Sequence, residues 1–205
     1  SVSSAPRWGR SPGPEPPAGD SPDLATLAAL FYPVPVGGGL PAALGRFERV
    51  EEESLPADAR GLLAHHSHMT VAMERVHASP VDVEVLDRRT DGKHYSRKIR
   101  LRTQRGGRVV QFGIVRLNLD YLAPDVREEV VSERTPLGRV LINHGVLMQV
   151  RLTALWRIEP GPDLCRSFEL AEPTVIYGRT AMIDFETSPA IELLEISAPL
   201  INEES

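Results

Sequence analysis

From Val81 onward, apolar and polar residues alternate with a period of two. The stretches are "VDVEVLDRR" (81–89), "HYSRKIRLRT" (94–103) and, after "QRGGR", "VVQFGIVRLNLDYL" (109–122). Such alternation sends successive side chains to opposite faces of a sheet, and the Gly-Gly pair marks a hairpin, so three antiparallel strands are predicted. The period then changes. "PDVREEVVSERTPLGRVLINHG" (124–145) has apolar residues at helical spacing in two pieces, with Thr135 placed to cap the second and Pro136 in its first turn. "VLMQVRLTALWRIE", "CRSFELA", "TVIYGRTAMIDF" and "AIELLEISAP" are again alternating or β-rich, and are separated by "PGPD", "EP" and "TSP". Upstream, Leu24 to Phe31 reads as a short helix capped by Asp23 and stopped by Pro33 and Pro35. Ala57 to Ala64 reads as a second helix, broken at a histidine cluster and followed by an extended piece from Met69 to Val76. Strands mixed with segregated helices, without a β-α-β rhythm, predict a single α+β domain: an antiparallel sheet with helices on one face.

Composition narrows the class. The first 22 residues hold six prolines and almost nothing to bury, so a disordered tail (1–22) is expected ahead of a domain spanning 23–205. With 41% hydrophobic and 25% charged residues, the remainder has the makings of an ordinary globular core. A net charge of −5 without basic blocks gives no footprint for nucleic acid. One cysteine, Cys165, allows neither an intrachain disulfide nor a cysteine-based zinc cluster. No apolar run approaches the roughly 20 residues of a membrane span, and the N-terminus lacks a secretory pattern, so a cytoplasmic protein without a membrane partner is expected.

Few residue patterns carry chemistry. "HHSHM" (65–69) gathers three of the six histidines, and His66 and His68 have the spacing to reach one ion. No third or fourth ligand appears at a metal-site spacing, so exposed histidines at a helix end are the plainer reading. Cys165 lies in a strand-like stretch, as a buried inert thiol. There is no nucleophile elbow and no phosphate loop, and "VGGGL" (36–40) has neither the preceding strand nor the lysine of one. Two charged residues stand out. Arg97 shares a strand face with Ile99 and Leu101, where a guanidinium needs a carboxylate from the protein or from a ligand. Glu195 lies within an otherwise apolar last strand.

The order "HMT", "YSRKIRL", "TPLGRVL", "YGRTAMIDF", "PAIELLEISAP" resembles the chorismate pyruvate-lyase family, over about residues 58–200. The resemblance implies a six-stranded antiparallel sheet with helices on one face and a ligand enclosed beneath helical flaps. It implies elimination of pyruvate from chorismate to give 4-hydroxybenzoate, with no metal and no cofactor. On this resemblance Met69 and Thr70 line the pocket from one flap, and Leu137 and Gly138 from the other. Arg97 grips the ring carboxylate, Glu195 meets the ring hydroxyl as general base or charge partner, and Arg179 makes a second anion contact. The histidines become incidental.

The chain departs from the family pattern twice. "ALWRIEPGPDLCRSFELAEP" (154–173) is longer than the pattern and is placed to reshape the pocket mouth, and one extra residue before Glu195 makes Glu192 its rival. Two alternatives follow: an aryl-acid binding domain of the kind found in transcription regulators, for which the first 22 residues supply no winged helix, and a biosynthetic enzyme acting on another carboxylated substrate.

Overall fold

The computed structural model describes residues 23–200; the expected tail and the last five residues lie outside the described residues. Strand β1 (Gly45–Val50) is followed by β2 (Val81–Asp91), β3 (His94–Thr103), β4 (Val109–Asn118), β5 (Gln149–Pro160), β6 (Ile176–Phe185) and β7 (Ser188–Ser197). All pair antiparallel in one sheet, in the order β1-β5-β6-β7-β4-β3-β2. The sheet therefore has seven strands rather than six. The extra one, β1, has only Phe47 and Val50 as large apolar residues, and it needs no more because it is an edge strand with one neighbour. It opens at Gly45 with φ +108°, where a Cβ would sit 2.1 Å from the Glu159 carbonyl, so only glycine fits this crossing.

Alternation along the strands sorts the core into two faces. On one face lie Tyr95, Val115, Leu117, Ala181, Ile183, Ile191 and Leu193, beneath α4 (Pro124–Ser132) and α5 (Leu137–Asn143). Ile99, Leu101 and Leu155 continue that face beneath α2 (Ala57–Leu63) and α3 (Met69–Val76). Phe112, Ile114, Ile158, Leu194 and Ile196 point the other way, onto α1 (Leu24–Ala29) and α6 (Pro162–Ser167). Helices thus cover both faces, not one. Central strand β4 is buried on both sides along almost its whole length, as the near-continuous "VVQFGIV" requires.

Other expectations change as well. Met69–Val76 is helix α3 rather than an extended piece: Met69, Thr70 and Met73 are buried on one side, a helical spacing that the β-branched Val71 and Val76 obscured. "CRSFELA" is not a strand, because Pro162 starts α6 and Leu164 and Phe168 pack it onto the sheet, leaving Cys165 only half-buried on a helix. The 154–173 segment forms the end of β5 and α6, and α6 packs on the face opposite the four larger helices, away from any pocket mouth between them. Asp23 caps α1 as expected, accepting from the Ala25 amide, whereas α5 begins with Pro136 in the cap position and no side-chain cap from Thr135. Among the described residues no helix is long and apolar enough to cross a membrane.

Candidate functional site

The two clusters on the four-helix face do not merge. Between them lies a narrow cavity, of about 40 Å³ counted as room for the centre of a water molecule. Its floor is the middle of the sheet, and its roof is the start of α3 (His68, Met69, Thr70) and the start of α5 (Pro136, Leu137, Gly138). The two roof helices touch closely: a Cβ on Gly138 would lie 2.9 Å from Thr70 Oγ1 and 3.2 Å from His68 Cβ. Arg139 and Glu74 form an ion pair across the same contact. The structure thus brings all seven expected site residues, Arg97, Glu195, Met69, Thr70, Leu137, Gly138 and Arg179, to one cavity.

Arg97 is 1% exposed and has no carboxylate in ion-pair range among the described residues. Its Nη1 donates to the Val130 carbonyl at 3.3 Å, in the last turn of α4, where the negative end of the helix dipole favours a cation. Tyr95, whose charge interaction acts on Arg97, donates its hydroxyl to Glu133 Oε1 at 2.7 Å, and Glu133 also pairs with Arg88. Glu133 reaches this place by closing α4 in the left-handed conformation, φ 61°. Desolvation pulls the Arg97 guanidinium below its ordinary range, and Tyr95 and then Glu133 oppose it. Burial, followed by the bond to Glu133, pushes the Tyr95 hydroxyl up to about 12. Arg97 Nε remains unpartnered.

Glu195 lies across the floor. Arg97 is in register with Val115 and Leu193, and Glu195 is two residues further along β7, so the charged groups stem from strands about 10 Å apart, two strand spacings, with Gly113 between. Glu195 Oε1 accepts from Arg179 Nε at 3.0 Å, and Oε2 faces the Gln111 amide nitrogen at 3.5 Å. Glu192, the rival carboxylate, is on the opposite face and pairs with Arg116 at 3.0 Å. Register decides between the two.

Arg179 is fully buried, lines the cavity and spends much of its donor capacity on the protein, since each of its three nitrogens meets a protein acceptor. Besides Glu195, it holds the carbonyls of His65 and Ser67, each at 2.9 Å, and so pins the turn that joins α2 to α3. The histidines of that turn diverge. His65 lies against the Leu62 carbonyl, and His66 accepts from the Leu152 amide at 3.4 Å. Among the described residues no three His, Cys, Asp or Glu side chains are grouped to hold a metal ion. His68 turns into the cavity, where burial lowers its pKa, Glu195 counters this and Arg179 adds to it. It is therefore a cavity residue, not an incidental one.

Gln111 escaped sequence reading, although the signal was there: it is a polar residue on the buried face that Gly113 and Val115 continue. It is 4% exposed, lines the cavity, and its Oε1 has no partner. Four buried side-chain polar atoms lack a partner among the described residues, and two of them, the Arg97 donor and the Gln111 acceptor, belong to residues lining this cavity.

No protein-family model matches the chain, and no curated protein matches it by sequence. Among solved structures it is similar to the C-terminal domain of the histidine utilization repressor from Pseudomonas syringae pv. tomato, with 11% identity and a TM-score of 0.40. That likeness covers 61% of this chain and 99% of the other, and at this level it says nothing about what the cavity takes.

Proposed function

We propose that the cavity binds a small aryl or cyclohexadienyl carboxylate and that the protein is a chorismate pyruvate-lyase. The observation that carries this reading is the buried Arg97 without a carboxylate, lining a cavity with a carboxylate across its floor. A charge so placed is costly unless an anion arrives, and a guanidinium holds a carboxylate through two parallel bonds. The motif resemblance supplies the reaction.

Chorismate is one elimination from aromaticity, so positioning and water exclusion suffice to speed a strongly downhill step. Arg97 would hold the ring carboxylate. The bond from the ring to the enolpyruvyl oxygen breaks, with its electron pair leaving on that oxygen. The neighbouring hydroxyl-bearing carbon loses its proton and the ring becomes aromatic. Enolpyruvate takes up a proton and becomes pyruvate, so nothing need be added. Glu195 would meet the ring hydroxyl and take part in the proton's passage, and His68, neutral in its buried setting, is the other titratable group lining the cavity. None of the residues is called on to bind a metal or cofactor in this scheme.

A second reading is supported by one contact: the Glu195 charge is already matched by Arg179, which suits a site that binds without converting. One assay separates the two. Protein mixed with chorismate, without added metal, is expected to release pyruvate and a near-ultraviolet-absorbing aryl acid, and Arg97→Ala to lose at least about a hundredfold in rate. Chorismate left intact, with 4-hydroxybenzoate raising Tm, would identify a binding domain instead.

A further inference from the structure

Gln111 is a polar side chain of the cavity that the proposed reaction leaves unused. Its orientation is fixed by its neighbour. Glu195 presents Oε2 to the amide, and the reverse orientation would set a carbonyl oxygen against a carboxylate, so the NH2 group faces Glu195 and Oε1 lies one amide width beyond it. That oxygen is buried, unpartnered and on a residue of the cavity wall. Glu195 is held in turn by Arg179, so Arg179, Glu195 and Gln111 form a row along the floor in which the Gln111 NH2 group separates the carboxylate from the second acceptor, Oε1. An acid with one hydroxyl opposite its carboxylate satisfies the first and leaves the second bare. Leaving a buried acceptor bare is costly, and filling it therefore discriminates.

We propose that Gln111 is a specificity-determining residue that accepts a hydrogen bond from a second donor on the ligand, adjacent to the donor that meets Glu195. The preferred ligand is then an aryl or cyclohexadienyl acid with two neighbouring hydroxyl groups at the end remote from its carboxylate. This rests on the reading of the cavity as an aryl-acid site, and it favours binding of a dihydroxy acid over turnover of chorismate, whose single ring hydroxyl stands beside an ether oxygen that has no hydrogen to donate.

The test is a set of calorimetric titrations of the full chain with three probes: 4-hydroxybenzoate, 3,4-dihydroxybenzoate, and 4-hydroxy-3-methylbenzoate, which has the size of the second without its donor. The dihydroxy acid is expected to bind about tenfold more tightly than either of the others. In Gln111→Leu, or in Gln111→Met should the first not fold, the ratio between dihydroxy and methyl acids is expected to fall to about one. Equal affinities in the unmodified protein would overturn the proposal while leaving the aryl-acid reading standing. A preference that persists in both variants would overturn the assignment to Gln111. Binding of none of the three, with chorismate unchanged, would remove the aryl-acid reading and this proposal with it.

Discussion

A guanidinium as buried as Arg97 is a liability in the empty protein. Its one hydrogen-bond partner among the described residues is a carbonyl at 3.3 Å, and the Glu133 carboxylate, bonded to Tyr95, acts on it without forming an ion pair. Replacing a buried ion by an apolar side chain of similar volume is commonly neutral or stabilising. Arg97→Met is therefore expected to keep Tm or raise it by about 2–4 °C in the ligand-free protein, while aryl-acid binding disappears. A large fall in Tm would mean that the charge serves the fold rather than a ligand. Arg97 was legible in the sequence because a charge on the apolar side of an alternating strand violates its own pattern, and Glu195 broke its strand in the same way. The choice between Glu195 and Glu192 was not legible, since alternation around an extra residue supports either. Only the register with Gly113 and Arg179 puts Glu195 on the cavity floor. For Arg179 the sequence shows that an arginine is present but not that backbone carbonyls of a distant turn take part of its donor capacity.

At the level of elements, the cavity depends on two short helices meeting at their first turns. Gly138 permits that meeting, and a methyl group there would press on Thr70 and His68. Gly138→Ala is expected to lower Tm by a few degrees and to weaken aryl-acid binding roughly tenfold, chiefly through faster release, which stopped-flow displacement would read. Unchanged release would show that the roof does not limit escape. On the other side of the roof, Arg179 ties the α2–α3 turn to the floor, so Arg179→Lys, which cannot span both carbonyls and Glu195, is expected to raise hydrogen exchange at the turn amides about tenfold or more. Strand β4, the β3–β4 hairpin and the α4–α5 pair followed from periodicity together with the Gly-Gly and Thr-Pro signals. Helix α3 and edge strand β1 did not: one was masked by β-branched residues, and the other carried too little hydrophobic pattern to be recognised.

Taken whole, the molecule has charge effects that pull in one direction. His65, His68 and His77 all have pKa values lowered from 6.5, each first by burial, so the folded state prefers the neutral ring. The unfolded chain takes up those protons near 6.5, which means stability is full above that pH and is lost as pH falls below it toward the folded values. Tm is expected to drop between about pH 7.5 and about pH 5.5, and His77→Asn, remote from the cavity lining, to flatten part of that drop. A flat profile in the parent protein would contradict the burial seen here.

The cavity interrupts the hydrophobic layer on its face of the sheet, separating the cluster under α4 and α5 from the one under α2 and α3. An occupant completes that layer as a side chain would. The chain's persistence in a cell should then track the supply of the compound it takes: where the compound is scarce, the incompletely filled protein opens more often and is cleared by proteases, and where it is plentiful the protein accumulates without any change in its synthesis.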